Sequence, residues 1–315
     1  FASATLSPVA AFAESCGLHE AGTPRPSSFA KATEDKSGTP LFGEEPDSGI
    51  PPANEVVQPV LHRLGEEGST GVCHVTAHTP WREGAYDIAF DARVNTSFQQ
   101  RARHHATTAA TVEALHAAAA RAQNLPVPAS GPQGDPTPAV AVFFPSYAYA
   151  EAIQHTLDRA GSVLRVALQP RLRDLAAQAA WVEESLVLAD ALFLVLGSSF
   201  AESIDLLGGR VTHAMVVGPA LPEVNAVQRT RLAEFSALGR PEAFRRVYQI
   251  PGMTKVNQAL GRLVRAPGQR ARVILHCERF LDPGYAGLLA PDYQLGTNLL
   301  ESADLSAWLD AGRVR

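Results

Sequence analysis

Cysteine is scarce in this sequence. Cys16, Cys73 and Cys277 are the only three in 315 residues, and no two stand at a paired spacing. That argues against a disulfide framework and suits a reducing compartment, so a cytoplasmic location is expected. Long hydrophobic runs are lacking too: no apolar stretch reaches bilayer-spanning length, and no basic-then-apolar leader opens the chain. Neither sign of charge dominates. Lys plus Arg number 27 against 32 Asp plus Glu, a net of −5. Any nucleic-acid contact must therefore come from a local patch. Familiar site motifs are missing as well. There is no G-x-x-x-x-G-K-[ST], no Gly-Lys pair, no G-x-G-x-x-G and no G-x-S-x-G. Their absence removes a self-contained phosphate loop, a dinucleotide fingerprint and a serine-hydrolase elbow. The first residue is Phe1 rather than Met, and the chain reads as a piece of a longer protein.

What is present is enough for a core: 46% of residues are hydrophobic and 19% charged. From about Ala21 to Ser69 the composition turns to Gly, Pro, Ser, Thr, Glu, Asp and Lys, with Val56–Leu61 the main apolar interruption. Such a segment buries too little surface to offset chain entropy, so residues 21–70 are read as a disordered insertion, linker or binding tail. A second loop, Leu125 to Thr137, separates two ordered regions.

From residue 71 onward, short apolar runs alternate with helix-like stretches. The expected strands are Val72–Thr76, Tyr86–Phe90, Ala139–Phe144, Val163–Leu168, Ala191–Leu196, His213–Gly218 and Arg272–Leu275. Most lack polar alternation, as strands covered on both faces should. One intervening helix carries Tyr149, Ala152, Ile153, Thr156 and Leu157 on a stripe, and another carries Leu175, Ala179, Val182 and Leu186. The alternation predicts an α/β fold, a parallel sheet with helices on both faces.

Three clusters can carry chemistry. His74 and His78 do not: on a strand, four residues span ~13 Å, too far for a metal pair. His104-His105 and His276-Cys277 are read as structural. The first real candidate is Val256 to Arg265. Taken as a helix, it puts Gln258, Arg262 and Arg265 on one face, with Val256, Ala259, Leu260, Leu263 and Val264 on the other. Two guanidiniums and an amide suit phosphate oxygens, although a solvated amphipathic helix has the same pattern. Gly261 costs about 1 kcal/mol in a helix interior, which close approach by another element would explain. The second is Leu196 to Gly209, where Ser199, Glu202 and Asp205 follow an expected strand, the place where ligands sit in parallel sheets. Helix capping by Ser198 or Ser199 is the competing account. The third is Phe143-Phe144-Pro145-Ser146-Tyr147, where Ser146 can cap a helix or present its hydroxyl to a phosphate.

These clusters occur in a recognisable order. Phe144-Pro145-Ser146-Tyr147, Ser199-Phe200-Ala201-Glu202-Ser203-Ile204-Asp205 and Gln258-Ala259-Leu260-Gly261-Arg262-Leu263-Val264-Arg265 resemble motifs IV, V and VI of the XPD/DinG family of superfamily 2 DNA helicases. The opening Phe1-Ala2-Ser3-Ala4-Thr5-Leu6-Ser7-Pro8 resembles motif III, which ends that family's first RecA-like domain. The resemblance implies a RecA-like (P-loop NTPase type) sheet. Residues 1–20 would end the first domain, 21–70 would be the insertion, and 71–315 would form the second helicase domain. Motifs I, Ia and II lie N-terminal to motif III in this family, as does an iron–sulfur cluster where one exists. Mg²⁺ and most of the ATP contacts would therefore belong to a preceding N-terminal domain.

The resemblance further implies that Gln258, Arg262 and Arg265, around Gly261, reach the ATP γ-phosphate, with an arginine as the finger. Glu202 and Asp205 would line the cleft, and Ser3 and Thr5 would couple it to DNA movement. Ser146, Tyr147 and Ser199 would lie near the strand path. The implied partners are single-stranded DNA and duplex junctions, with 5′-to-3′ translocation and a role such as DNA repair. Two departures stand out. Ser203 replaces the usual Gly of E-G-I-D, and Cys277-Glu278-Arg279-Phe280 replaces D-x-R-F. A non-catalytic nucleic-acid-binding or interaction module derived from a helicase is the alternative.

Overall fold

The computed structural model describes residues 60–63, 73–76, 79–122, 139–198 and 206–311. They fall in two compact units, a small one within Ala13–Pro80 and a large one that includes Trp81–Arg315. In the small unit, β1 (Val60–Arg63) pairs antiparallel with β2 (Cys73–Thr76). This is a difference from the sequence reading. Val60 and Leu61 stand in a strand inside the span read as insertion, and its ladder partner lies beyond the boundary expected at residue 70.

The large unit is built on seven strands: β3 (Tyr86–Asp91), β4 (Val140–Phe144), β5 (Val166–Leu168), β6 (Ala191–Val195), β7 (His213–Val216), β8 (Ala271–His276) and β9 (Thr297–Leu299). Their order is β5-β6-β4-β7-β8-β3-β9, and every pairing is parallel. The expected parallel sheet is therefore observed. Side chains alternate between two cores. Ala141 and Phe143 of β4 join one that holds Val182, Met253 and Val256, while Val140, Val142 and Phe144 join another that holds Leu115, Ile153 and Trp308. Strands wetted on neither face need no polar alternation, which is why their runs stood out in the sequence. β9 did not stand out. It is three residues at a sheet edge with two of them exposed, and carries no apolar run.

The helices are α1 (His105–Ala122), α2 (Tyr147–Arg159), α3 (Leu175–Leu188), α4 (Ala226–Glu234), α5 (Arg240–Phe244), α6 (Ile250–Leu260), α7 (Pro283–Ala286) and α8 (Ser302–Ala311). In α2, Tyr149, Ile153 and Leu157 are buried as their spacing predicts. In α3 the buried line is Gln178, Val182 and Ser185, and Leu175 is exposed. Val182 of the expected stripe is buried and Leu186 packs against the core, but Leu175 is replaced on that side by Gln178, which donates to the Leu172 carbonyl at 2.8 Å. A π-helical turn, Arg245–Gln249, joins α5 to α6. Among the described residues no helix is long and apolar enough to cross a membrane.

One core residue makes stability depend on pH. His213 is buried at the start of β7, and burial followed by repulsion from the Arg272 guanidinium holds its pKa down to about 4, from an ordinary 6.5. The unfolded imidazole takes a proton near pH 6.5, whereas the folded one resists until near 4. Stability is therefore full above the higher value and falls as pH drops through this window, by roughly 1.4 kcal/mol per unit. Urea denaturation between these limits should show that slope, and His213→Leu should make it shallower.

Candidate functional site

The arginine cluster forms where α6 ends. The chain stays helical to Leu260, then tightens: the N–H of Gly261 reaches the Asn257 carbonyl at 3.0 Å, but those of Arg262 and Leu263 bond Ala259 and Leu260 at 3.2 and 3.1 Å. Residues 261–263 are a turn. This corrects the helical face expected for Gln258, Arg262 and Arg265. Only Gln258 is in the helix, Gly261 is its C-terminal cap rather than an interior residue, and the two arginines sit in and beyond the turn. The apolar side of the expectation holds, since Val256, Ala259, Leu260, Leu263 and Val264 are all buried. The Tyr86 hydroxyl donates to the Leu260 carbonyl at 2.9 Å, satisfying one of the acceptors a helix end leaves open. Buried Asn257 donates to the Leu288 carbonyl at 2.9 Å and accepts from Ala290 at 3.0 Å, tying the same turn to the C-terminal loops.

Gly208 and Gly209 close over this turn. The Gly209 N–H points to the Leu263 carbonyl at 3.4 Å. A Cβ on Gly208 would sit 2.8 Å from Cγ of Arg265. These glycines end the second cluster, so its described end lies against the first. Ser3, Thr5, Ser199, Glu202 and Asp205 themselves lie outside the described residues. One basic residue was not anticipated. Lys255, three positions before Gln258 and so on the same helical side, lays its side chain across Gly197, whose φ of +76° and lack of Cβ leave room for it. The i, i+3 spacing to Gln258 was the signal that could have found it.

Ser146 and Tyr147 lie elsewhere. The arginine turn precedes β8, whereas these residues follow β4, so a parallel sheet puts them at opposite edges. Ser146 caps α2 by accepting from the Tyr149 N–H at 3.3 Å. Buried Gln169 organises the rest. Its amide donates to the Tyr147 hydroxyl at 2.7 Å, and its carbonyl accepts from Val195 N–H at 2.8 Å and the Ser198 hydroxyl at 3.2 Å. The Arg171 guanidinium lies 4.6 Å from the Tyr147 ring centre. Sequence reading missed Gln169 because a single amide after a short strand carries no pattern.

The same edge carries the Cys277-Glu278-Arg279-Phe280 segment. Glu278 accepts from Asn95 at 2.6 Å, Arg279 donates to Thr96 at 3.2 Å, and Thr96 donates to the Cys277 sulfur at 3.1 Å. Beneath it, fully buried Asp91 bonds His276 at 2.6 Å and Arg93 at 2.8 Å. Burial alone would raise the Asp91 pKa, but the Arg93 and His276 hydrogen bonds hold the carboxyl far below the usual range. His276 and Cys277 are structural, as read. No three His, Cys, Asp or Glu side chains converge as a metal site among the described residues. The donors for a Mg²⁺ are not assembled there, and no step is assigned to it.

The helicase C-terminal domain family model matches residues 136–293, half of the chain. A solved XPD helicase structure matches with a TM-score of 0.51 and 16% identity, over 68% of this chain and 35% of its own. The Xpd4 structure from S. tokodaii matches over 68% of this chain and 38% of its own, at 14% identity and a TM-score of 0.46. Among curated proteins no sequence matches. The chain thus spans a little over a third of these solved structures, and the likeness at this identity is one of fold, a RecA-like second helicase domain.

Proposed function

Because the chain belongs to the helicase C-terminal domain family and is a C-terminal helicase domain of XPD/DinG type, we propose that it is the second motor domain of an ATP-dependent DNA helicase. ATP hydrolysis at a cleft shared with a first RecA-like domain would drive movement along single-stranded DNA and unwinding at duplex junctions. What supports this is the placement of the arginine turn. Arg262 and Arg265 leave a helix end braced by Tyr86 and Asn257, and Gly208 and Gly209, which follow Glu202 and Asp205 in the sequence, pack against the same turn. Guanidiniums on a braced turn can stabilise charge on a transferring phosphoryl group without reorganising. Gln258 would orient the γ-phosphate, and Glu202 and Asp205 would couple its loss to DNA grip, with Ser3 and Thr5 on the first-domain side. Ser146, Tyr147 and Ser199 would contact the strand.

With no G-x-x-x-x-G-K-[ST] and no Gly-Lys pair, the 315-residue chain lacks the lysine and backbone cradle of a phosphate loop. It should therefore show no DNA-stimulated ATPase, and joining it to a first RecA-like domain bearing that loop should restore turnover. Robust hydrolysis by the chain alone would sink the proposal.

A further inference from the structure

A cavity of about 710 Å³ opens at the carboxyl edge of the sheet. Thr96, Ser97 and Phe98 after β3, Pro145 after β4, Pro219 after β7 and Arg279 after β8 form part of its wall. The π-helical turn contributes Tyr248, and α5 contributes Arg240 and Phe244. Its lining is mainly apolar, yet it includes three arginines, Arg101, Arg240 and Arg279, and no carboxylate.

Two features make this more than an apolar groove. Phe98 is 80% exposed, a high cost for a large aromatic ring unless something covers it. Arg101 is held between rings, its guanidinium carbon 4.8 Å from the Phe98 centre and 5.0 Å from that of buried Tyr149. A guanidinium clamped in that way is already oriented, so it loses little freedom on meeting an anion. The cavity thus combines an open ring face, apolar walls of a size for a small planar group, and cations with no competing acid. π-Helical turns also recur at functional sites.

Resting on the helicase reading above, we propose that this cavity seats one nucleotide of single-stranded DNA: Phe98 stacks on its base, and Arg101 with Arg279 holds the adjoining phosphates. Charge complementarity selects this occupant over an apolar peptide, because a lining with three arginines and no carboxylate calls for a polyanion.

Fluorescence anisotropy of the 315-residue chain with labelled oligothymidylate of about 15 nucleotides, and with an abasic backbone of the same length, tests the assignment. The wild type should bind the oligothymidylate more tightly. Phe98→Ala should weaken oligothymidylate binding about 10-fold and leave abasic binding unchanged, and Phe98→Tyr should retain it. Arg101→Gln should weaken both. Since Phe98 is exposed, its unfolding midpoint should match that of the wild type. Equal oligothymidylate binding by Phe98→Ala and the wild type would overturn the pocket while leaving the helicase reading intact, and is also what a peptide groove would give. If the wild type binds neither probe, the nucleic-acid reading falls, and the pocket with it.

Discussion

Arg262→Ala should reduce ATP turnover by 10³-fold or more in the chain joined to a first RecA-like domain that bears a phosphate loop, while ATP binding stays within a few fold of wild type. The magnitude is that of removing a guanidinium which stabilises charge only in the transition state, on the order of 10³–10⁵ in rate. The structure adds a reason for Arg262 to be sensitive to its support. It sits in a turn whose preceding carbonyl, Leu260, is held by the Tyr86 hydroxyl. Steady-state ATPase with nucleotide binding measured in parallel separates the two quantities, since an interaction lost from both states would raise KM instead. Unchanged kcat would remove Arg262 from the catalytic role. Arg262→Lys should fall nearly as far, because an ammonium cannot reproduce a bidentate guanidinium.

Asp91→Ala should destabilise the large unit by about 3–5 kcal/mol, a large share of a typical domain's stability. Asp91 and His276 are both fully buried, and Arg93 donates to both carboxylate oxygens. Deleting the carboxylate strands a guanidinium and an imidazole in the interior. The damage should spread outward, because His276 leads directly into Cys277 and Arg279, which fix Thr96 at the edge of the cavity. Urea denaturation of Asp91→Ala and Asp91→Asn distinguishes charge from shape, with the asparagine variant losing less. The carboxyl is depressed in the folded protein, so its contribution is present above the usual carboxylate pKa and is lost as pH falls toward the lower folded value. A loss below 1 kcal/mol in Asp91→Ala would mean that the network does not carry the edge.

Much of the architecture was legible in the residues. Phe143, Leu194 and Val216 stand in runs that only a doubly covered parallel sheet accommodates, and all three are buried where those runs put them. One cap was legible too: Ser146 accepts from the Tyr149 N–H. What failed was local to places where a tertiary contact overrides a period. Gln178 joins Val182 on the buried line of α3 by donating to the Leu172 carbonyl, where Leu175 was expected. Gly261 was read as an interior glycine tolerated for close approach, whereas it terminates the helix. Gln169 had no signal of its own, since it acts through groups more than twenty residues away, and Lys255 had only its spacing to Gln258.

By itself, then, the sequence determined the alternation of buried strand and amphipathic helix, the order of the three clusters and the absence of a phosphate loop. These depend on neighbours a few positions apart, and hydrophobic period and capping chemistry are written at that range. Only the tertiary structure decided that α6 stops at Leu260, that Gly208 lies on Arg265, and that Ser146 and Arg262 occupy opposite edges of the sheet. It alone brought Phe98, Arg101 and Arg279 to one cavity. Those outcomes turn on which helix end a distant tyrosine reaches and which strands become neighbours, and long-range packing settles both.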